Sequence, residues 1–391
     1  MGKFRFRRLA VNLSCTAISF VITYLLIEFF FFRFYLPYLP LNVVTHLPGL
    51  ASVLVQNSKA KFVPEDYVAL LGDSYAVGVG DWLLQANGDR TKSYHSAHVI
   101  HARTGRDVVS FAGGTSSAEA IVLGPAQILS SAECYFFPKS IEAPKEIFIY
   151  YYEGNDVNDN LRVLDDVKLR YGDTNNATID RYLREQYAAF PFRKCHSYLG
   201  ESAGHMAKFL FQHYVQRFTF DAVPPPKNKL LIAGEHVHTP SLQGPALGLS
   251  VDEIVDSMRI LDRSLLWLRQ QFPDVPRTVI YLPSAASLYH FADDTMYWSM
   301  SYRPGGTEVP LALVKDHRNL MCGLVSKAAV DHGAAFLDAG PALRTLAASQ
   351  PIHGPLDWFH FNEAGYRALG NLVVGSLEGR AVPNMCDAYD D

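Results

Sequence analysis

The sequence predicts an α/β fold, a parallel sheet covered by helices on both faces, preceded by one membrane-spanning helix. Three observations predict it. Short apolar runs alternate with helix-patterned segments along most of the chain. Glycine-rich or polar turns follow those runs, and ligands in parallel sheets bind beyond the carboxyl ends of the strands. At the N-terminus a basic cluster precedes a long apolar stretch.

That stretch comes first in the chain. Lys3, Arg5, Arg7 and Arg8 precede a mainly apolar run from Leu9 to Phe32, interrupted by Asn12, Ser14, Thr16 and Glu28. At a rise of about 1.5 Å per residue it matches a bilayer core of roughly 30 Å. The basic flank predicts a cytoplasmic N-terminus and an extracytoplasmic remainder, periplasmic or extracellular. A cleaved signal peptide is the rival reading, but the run is long for one, and Arg33-Phe34-Tyr35-Leu36-Pro37 offers no small-residue cleavage pattern. A buried soluble helix is the third. Glu28 is expected to reach the far interface or to pair with Arg33. Residues 1–36 are thus assigned to the cytoplasmic end and anchor, 37–66 to a proline-marked connection, and 67–391 to the globular domain.

The 391 residues are 49% hydrophobic with a formal net charge of -4, enough chain for a large core and without the basic footprint nucleic acid requires. Cys15 sits in the anchor. Cys134, Cys195, Cys322 and Cys386 lie outside it, permitting two disulfides in any of three pairings, or free thiols. Their spacing is not that of a zinc site.

In the domain, Tyr67–Leu71 reads as a buried strand, Ser93–Arg103 as a helix, Asp107–Phe111 as a second strand, Ser117–Leu129 as an interrupted helix and Glu146–Tyr152 as a third strand. Residues 161–249 break the rhythm and read as an irregular insertion, with an aromatic segment, Phe209 to Phe220, suited to a lid or a membrane-facing helix. Ser250 and Glu253 make a capping box for a helix ending before Pro273. Thr278–Leu282 is a fourth strand, Leu313–His332 a helix, and Ala335–Leu337 a fifth strand.

The turns carry the chemistry. Gly72-Asp73-Ser74 follows the first strand, where a serine is held exposed with backbone N–H groups of the next turn near its reaction centre. A phosphate-cradling loop is disfavoured, because no Gly-Lys-Ser/Thr follows. Gly113 and Gly114 follow the second strand, and Gly154-Asn155-Asp156 the third, where Asn155 can aim an N–H donor into the same space. The acidic run from Asp156 is not a calcium loop, since Leu161 stands where glycine is needed. Near the C-terminus, Asp357 and His360 are three apart, so that the carboxylate can hold the imidazole in the tautomer that takes a serine proton. His236 and His238 lie in what reads as a Gly/Pro-rich loop without a carboxylate partner, and no metal or other cofactor is expected.

Taken in order, Ser74, Gly113 or Gly114, Asn155 and the Asp357/His360 pair resemble the four blocks of the SGNH (GDSL-like) hydrolase superfamily, over roughly Tyr67 to Leu372. The resemblance implies a three-layer α/β/α fold with a flavodoxin-like sheet. It implies Ser74 as nucleophile, His360 as base, Asp357 as its orienter, and an oxyanion hole from the N–H groups of Ser74 and Gly113 and the Asn155 side chain. Tyr75 stands where the leucine of the family nickname would be. Ser110 stands where many members have asparagine, leaving Gly113 favoured over Gly114. The expected activity is a membrane-anchored esterase on O-acyl, chiefly O-acetyl, esters of envelope glycans. The alternatives are acyl transfer to glycans, lipase or lysophospholipase action on lipid esters, and a non-catalytic glycan-binding scaffold.

Overall fold

The computed structural model describes residues 2–35, 38–39, 49–85, 95–112, 141–189, 225–299, 307–380 and 384–387, with isolated positions between them. In chain order the elements are α1 (Gly2–Phe30), α2 (Gly49–Leu54), β1 (Val68–Leu71), α3 (Ser74–Val77), α4 (Asp81–Gln85), α5 (Ser96–Thr104), β2 (Val108–Ser110) and β3 (Glu146–Tyr152). They continue with α6 (Asp156–Tyr171), α7 (Asn176–Ala189), β4 (Asn228–Ile232), β5 (Glu235–Thr239), α8 (Val251–Gln271), β6 (Arg277–Leu282), β7 (His290–Phe291), β8 (Thr295–Trp298) and β9 (Thr307–Pro310). The last are α9 (Leu311–Asp331), β10 (Ala335–Asp338), α10 (Gly340–Ala347) and α11 (Glu363–Leu377).

Five strands form one parallel sheet in the order β10-β6-β3-β1-β2, which is the expected flavodoxin-like arrangement. Successive side chains of a strand point to opposite faces, so an apolar strand must be covered twice. In β1, Ala69 and Leu71 pack with α8 and α9 through Ile254, Leu265, Met321 and Val325. Val68 and Leu70 pack on the other face with α5, α10 and α11 through Ile100, Leu343 and Leu369. Helix α8 opens on the expected capping box, with Ser250 accepting the Glu253 N–H and Glu253 accepting the Ser250 N–H at 2.7 Å.

The 161–249 stretch is more regular than its sequence suggests. Helix α6 continues through it to Tyr171, α7 follows, and β4 and β5 form an antiparallel hairpin that β7 extends. His236 and His238 therefore stand on a strand, not in a loop, opposite Leu231 and Lys229. The reason is local: Ala233 and Gly234 both have positive φ, 51° and 82°, which suits a two-residue hairpin turn. The expected helix 117–129 and the aromatic segment 209–220 fall largely or wholly outside the described residues, as do Cys134, Cys195 and the Arg33 side chain offered to Glu28. Glu28 itself is buried.

Cys322 on α9 is joined to Cys386 by a disulfide. The C-terminal segment is further held where Arg344 pairs with the Asp387 carboxylate at 2.5 Å, and where the Asp387 N–H donates to Asp338 at 3.1 Å. Within α1, Ala10–Phe30 is long and apolar enough to cross a membrane, and apart from Glu28 its side chains are not buried.

Candidate active site

Strand order puts the ends of β1 and β3 side by side, at the point where connections diverge to the two halves of the sheet. Ser74 opens α3 just beyond β1. Asp73 caps that turn, its Oδ1 accepting the Tyr75 N–H at 2.9 Å, and the Gly78 N–H closes it on the Ser74 carbonyl at 2.9 Å. Two glycines make the geometry possible. Gly72 has φ 141°, and a Cβ there would lie 2.6 Å from the Tyr150 carbonyl oxygen. Gly80 has φ 149°, and a Cβ there would lie 2.3 Å from the Phe361 carbonyl oxygen, so only glycine lets the serine loop meet the histidine loop.

The structure brings Ser74, His360 and Asp357 together. His360 Nε2 lies 2.9 Å from Ser74 Oγ, and His360 Nδ1 lies 2.7 Å from Asp357 Oδ2. A carboxylate only accepts, so Nδ1 carries the proton and Nε2 is left as acceptor for the serine hydroxyl. Asp357 Oδ1 accepts the N–H groups of Phe359 at 2.8 Å and His360 at 3.2 Å, which locks the turn. The Asp357 and His360 side chains are 7% and 12% exposed, little enough for their interaction to escape screening. Burial pushes the Asp357 carboxyl upward, but the His360 hydrogen bond and charge and the two N–H donors outweigh it and hold it below its ordinary range. Asp73 goes the other way: burial raises it, against the pull of the Tyr75 N–H, the His360 charge and the Ser74 hydroxyl.

The remaining expected residues divide. Asn155 stands just before α6 beyond the end of β3, half-buried, and its Nδ2 donates to Asp159 Oδ2 at 3.0 Å. An amide has two N–H donors, so a second stays available for a ligand. Gly113 and Gly114 lie outside the described residues. The strand leading to them is tied to the serine turn, because Ser110 Oγ donates to the Ala76 carbonyl at 2.5 Å.

Several side chains in this constellation carry no motif. The Tyr75 hydroxyl donates to the Phe359 carbonyl at 2.6 Å, and the Tyr366 hydroxyl to the Val79 carbonyl at 2.5 Å. Asp81 accepts the N–H groups of Leu356 at 3.0 Å and Asp357 at 2.5 Å. Glu153, between β3 and Asn155, is fully buried and accepts from the Ser284 N–H at 2.8 Å and hydroxyl at 2.6 Å, and from the hydroxyls of Ser287 and Tyr281. The one available signal was an acid embedded in an apolar strand end. His353 is buried against the Tyr289 hydroxyl at 3.1 Å, and burial lowers its pKa to about 3, so it stays neutral. Among the described residues no group of three or more His, Cys, Asp or Glu side chains is arranged to hold a metal ion.

No family model matches the chain, and no curated protein matches it. Among solved structures it is similar to an extracellular lipase from Streptomyces rimosus, with TM-score 0.38 and 17% identity over 81% of this chain and 99% of that one. It is also similar to phospholipase A1 from Streptomyces albidoflavus, with TM-score 0.36 and 16% identity over 81% of this chain and 98% of that one. At such values the likeness carries no chemistry, and the reading of the site stands on its own hydrogen bonds.

Proposed function

We propose that this chain is a membrane-tethered serine esterase of the SGNH kind, acting outside the cytoplasm on O-acyl esters, chiefly O-acetyl groups of envelope glycans. The observation that carries the reading is the unbroken relay from Ser74 to His360 to Asp357, at 2.9 Å and 2.7 Å. Such a relay is what a serine needs to become a nucleophile.

In this mechanism Ser74 Oγ attacks the ester carbonyl carbon as its proton passes to His360 Nε2. Asp357 holds the imidazolium that forms. The carbonyl oxygen, now negative, accepts hydrogen bonds from the N–H groups of Ser74 and Gly113 and from Asn155 Nδ2. The intermediate collapses, and the alcohol leaves with the proton held by His360. Water then attacks the acyl-enzyme, giving its proton to His360, and the carboxylic acid leaves as Ser74 regains its hydrogen. Where a sugar hydroxyl replaces that water, the same steps transfer the acyl group.

The tether supports the substrate class: a catalytic domain on a short connection after a basic-flanked span reaches polymers close to the bilayer. Hydrolysis of p-nitrophenyl acetate by the full chain in detergent tests the chemistry. Ser74→Ala and His360→Ala are each expected to lower kcat by about 10³-fold or more. Rates unchanged in both variants overturn the assignment. Comparison of acetyl with long-chain p-nitrophenyl esters, acetylated glycans and lysophospholipids tests the substrate, and a preference for long chains overturns the glycan reading.

A further inference from the structure

We propose that Asp81 is a positioning residue that fixes the Asp357–His360 pair against Ser74, a role that rests on the triad reading above. Asp81 is buried at the start of α4, and each of its carboxylate oxygens accepts one backbone N–H, from Leu356 and from Asp357 itself. The partners lie 275 and 276 positions along the chain. Asp81 is thus the side chain on the serine loop that holds the main chain of the orienting aspartate.

The consequence is a closed ring of short links. From Ser74 the path runs through the Gly78 and Val79 N–H groups on the Ser74 carbonyl, at 2.9 and 3.0 Å. It continues through Gly80, pressed on the Phe361 carbonyl, to Asp81. From Asp81 it crosses to the Asp357 N–H, then from the Asp357 carboxylate to His360 Nδ1, and from His360 Nε2 back to Ser74 Oγ. Two sides of the ring belong to one rigid turn each, because the Trp82 indole N–H donates to the Gly78 carbonyl at 2.6 Å and Asp357 Oδ1 accepts two N–H groups of its own turn. Asp81 is the joint between the turns. The Tyr75 and Tyr366 hydroxyls brace the same joint from other positions, through the Phe359 and Val79 carbonyls.

Chemistry explains why an acid stands here. Both partners are backbone donors in fixed directions, so both atoms facing them must be acceptors. Asparagine supplies one acceptor and turns an N–H donor toward the other backbone N–H. In Asp81→Asn the loop must withdraw, carrying the locked Asp357–His360 turn from Ser74, and misplacement by about 1 Å costs on the order of 10²-fold in rate.

The test is a double-mutant cycle in the full chain, measuring kcat and KM on p-nitrophenyl acetate and the rate at which a fluorophosphonate labels Ser74. Asp81→Asn is expected to lower kcat and the labelling rate by about 10- to 100-fold with KM unchanged. In a His360→Ala background the same substitution is expected to change the residual labelling rate by less than about twofold, because it acts through the placement of His360. Should Asp81→Asn fold poorly, Gly80→Ala supplies the second variant: it drives the loops apart without removing a polar group, and the same kcat loss is expected. A wild-type kcat in Asp81→Asn, or an equal loss with and without His360, overturns the proposal. Wild-type protein that neither hydrolyses ester nor takes the label overturns the triad reading, and this role falls with it.

Discussion

Asp81 and Glu153 are both buried carboxylates, and each fastens a turn beside the reaction centre, yet they hold by different kinds of partner. Asp81 accepts two backbone N–H groups from the histidine loop. Glu153 accepts three hydroxyls, of Ser284, Ser287 and Tyr281, and a single backbone N–H from Ser284. A hydroxyl reverses from donor to acceptor by rotation; a backbone N–H cannot. The serine-to-histidine joint therefore demands a carboxylate, whereas the joint under Asn155 tolerates a neutral group of the same shape. The lesson is that burial alone does not say what a substitution will do. The rigidity of the donors decides it.

Removing the Glu153 side chain altogether is the harshest test of that contrast. Glu153→Ala leaves the Ser284 N–H and three hydroxyls inside the protein with their acceptor gone, and takes a negative charge from the neighbourhood of Arg318. Each buried group left unsatisfied costs about 1–3 kcal/mol, so a loss of about 3 kcal/mol or more is expected in thermal unfolding. A shift under about 1 kcal/mol would show that water or a rearrangement replaces the carboxylate, and would remove the basis for treating this turn as pinned.

Asn155→Ala separates holding from reacting on the same turn. Its side-chain bond goes to Asp159, which is partly exposed, so little stability is at stake. If Asn155 donates to the developing oxyanion, kcat is expected to fall by about 10²–10³-fold, with unfolding moved by less than about 1 kcal/mol. Equal kcat in the variant would mean that the Asp159 contact is its whole purpose.

These two joints also show why parts of the molecule were legible in sequence and others were not. Strands β1, β3 and β6 announced themselves because both of their faces are buried, which forces apolar runs such as Ile147–Tyr152. The Ser250/Glu253 box and the Asp357/His360 spacing are local, closed within three residues, so the chemistry is written side by side. Asp81 is written nowhere near its partners, and those partners are backbone N–H groups, which every residue but proline has. An aspartate after a glycine reads as an ordinary turn. The β4–β5 hairpin escaped notice for a different reason: β5 is mostly exposed, so Glu235-His236-Val237-His238 lacks an apolar face, and Ala233 takes a positive φ usually left to glycine or asparagine. The Cys322–Cys386 pairing depends on where α9 meets the C-terminal segment, which no spacing encodes.

Glu153→Gln is the gentlest test. Burial raises the Glu153 pKa above its ordinary 4.5, despite the pull of Ser284, Ser287, Tyr281 and Arg318. A folded-state pKa above the unfolded one means that its contribution to stability is full below about pH 4.5 and is lost as pH rises through the folded value. Asp357 has the opposite sign: its lowered pKa gives stability above about pH 3.8 that is lost as pH falls through the folded value. Glutamine copies protonated Glu153, since its amide can donate to the Tyr281 oxygen while Tyr281 donates to the Arg318 carbonyl, already 3.3 Å away. Wild type and Glu153→Gln are therefore expected to melt within about 1 kcal/mol of each other at pH 4.5, with the balance moving toward the variant as pH rises. Melting curves collected from pH 4.5 to 8 check it, and a balance that moves toward wild type would mean that the hydroxyls stabilise the ionised carboxylate more than burial opposes it.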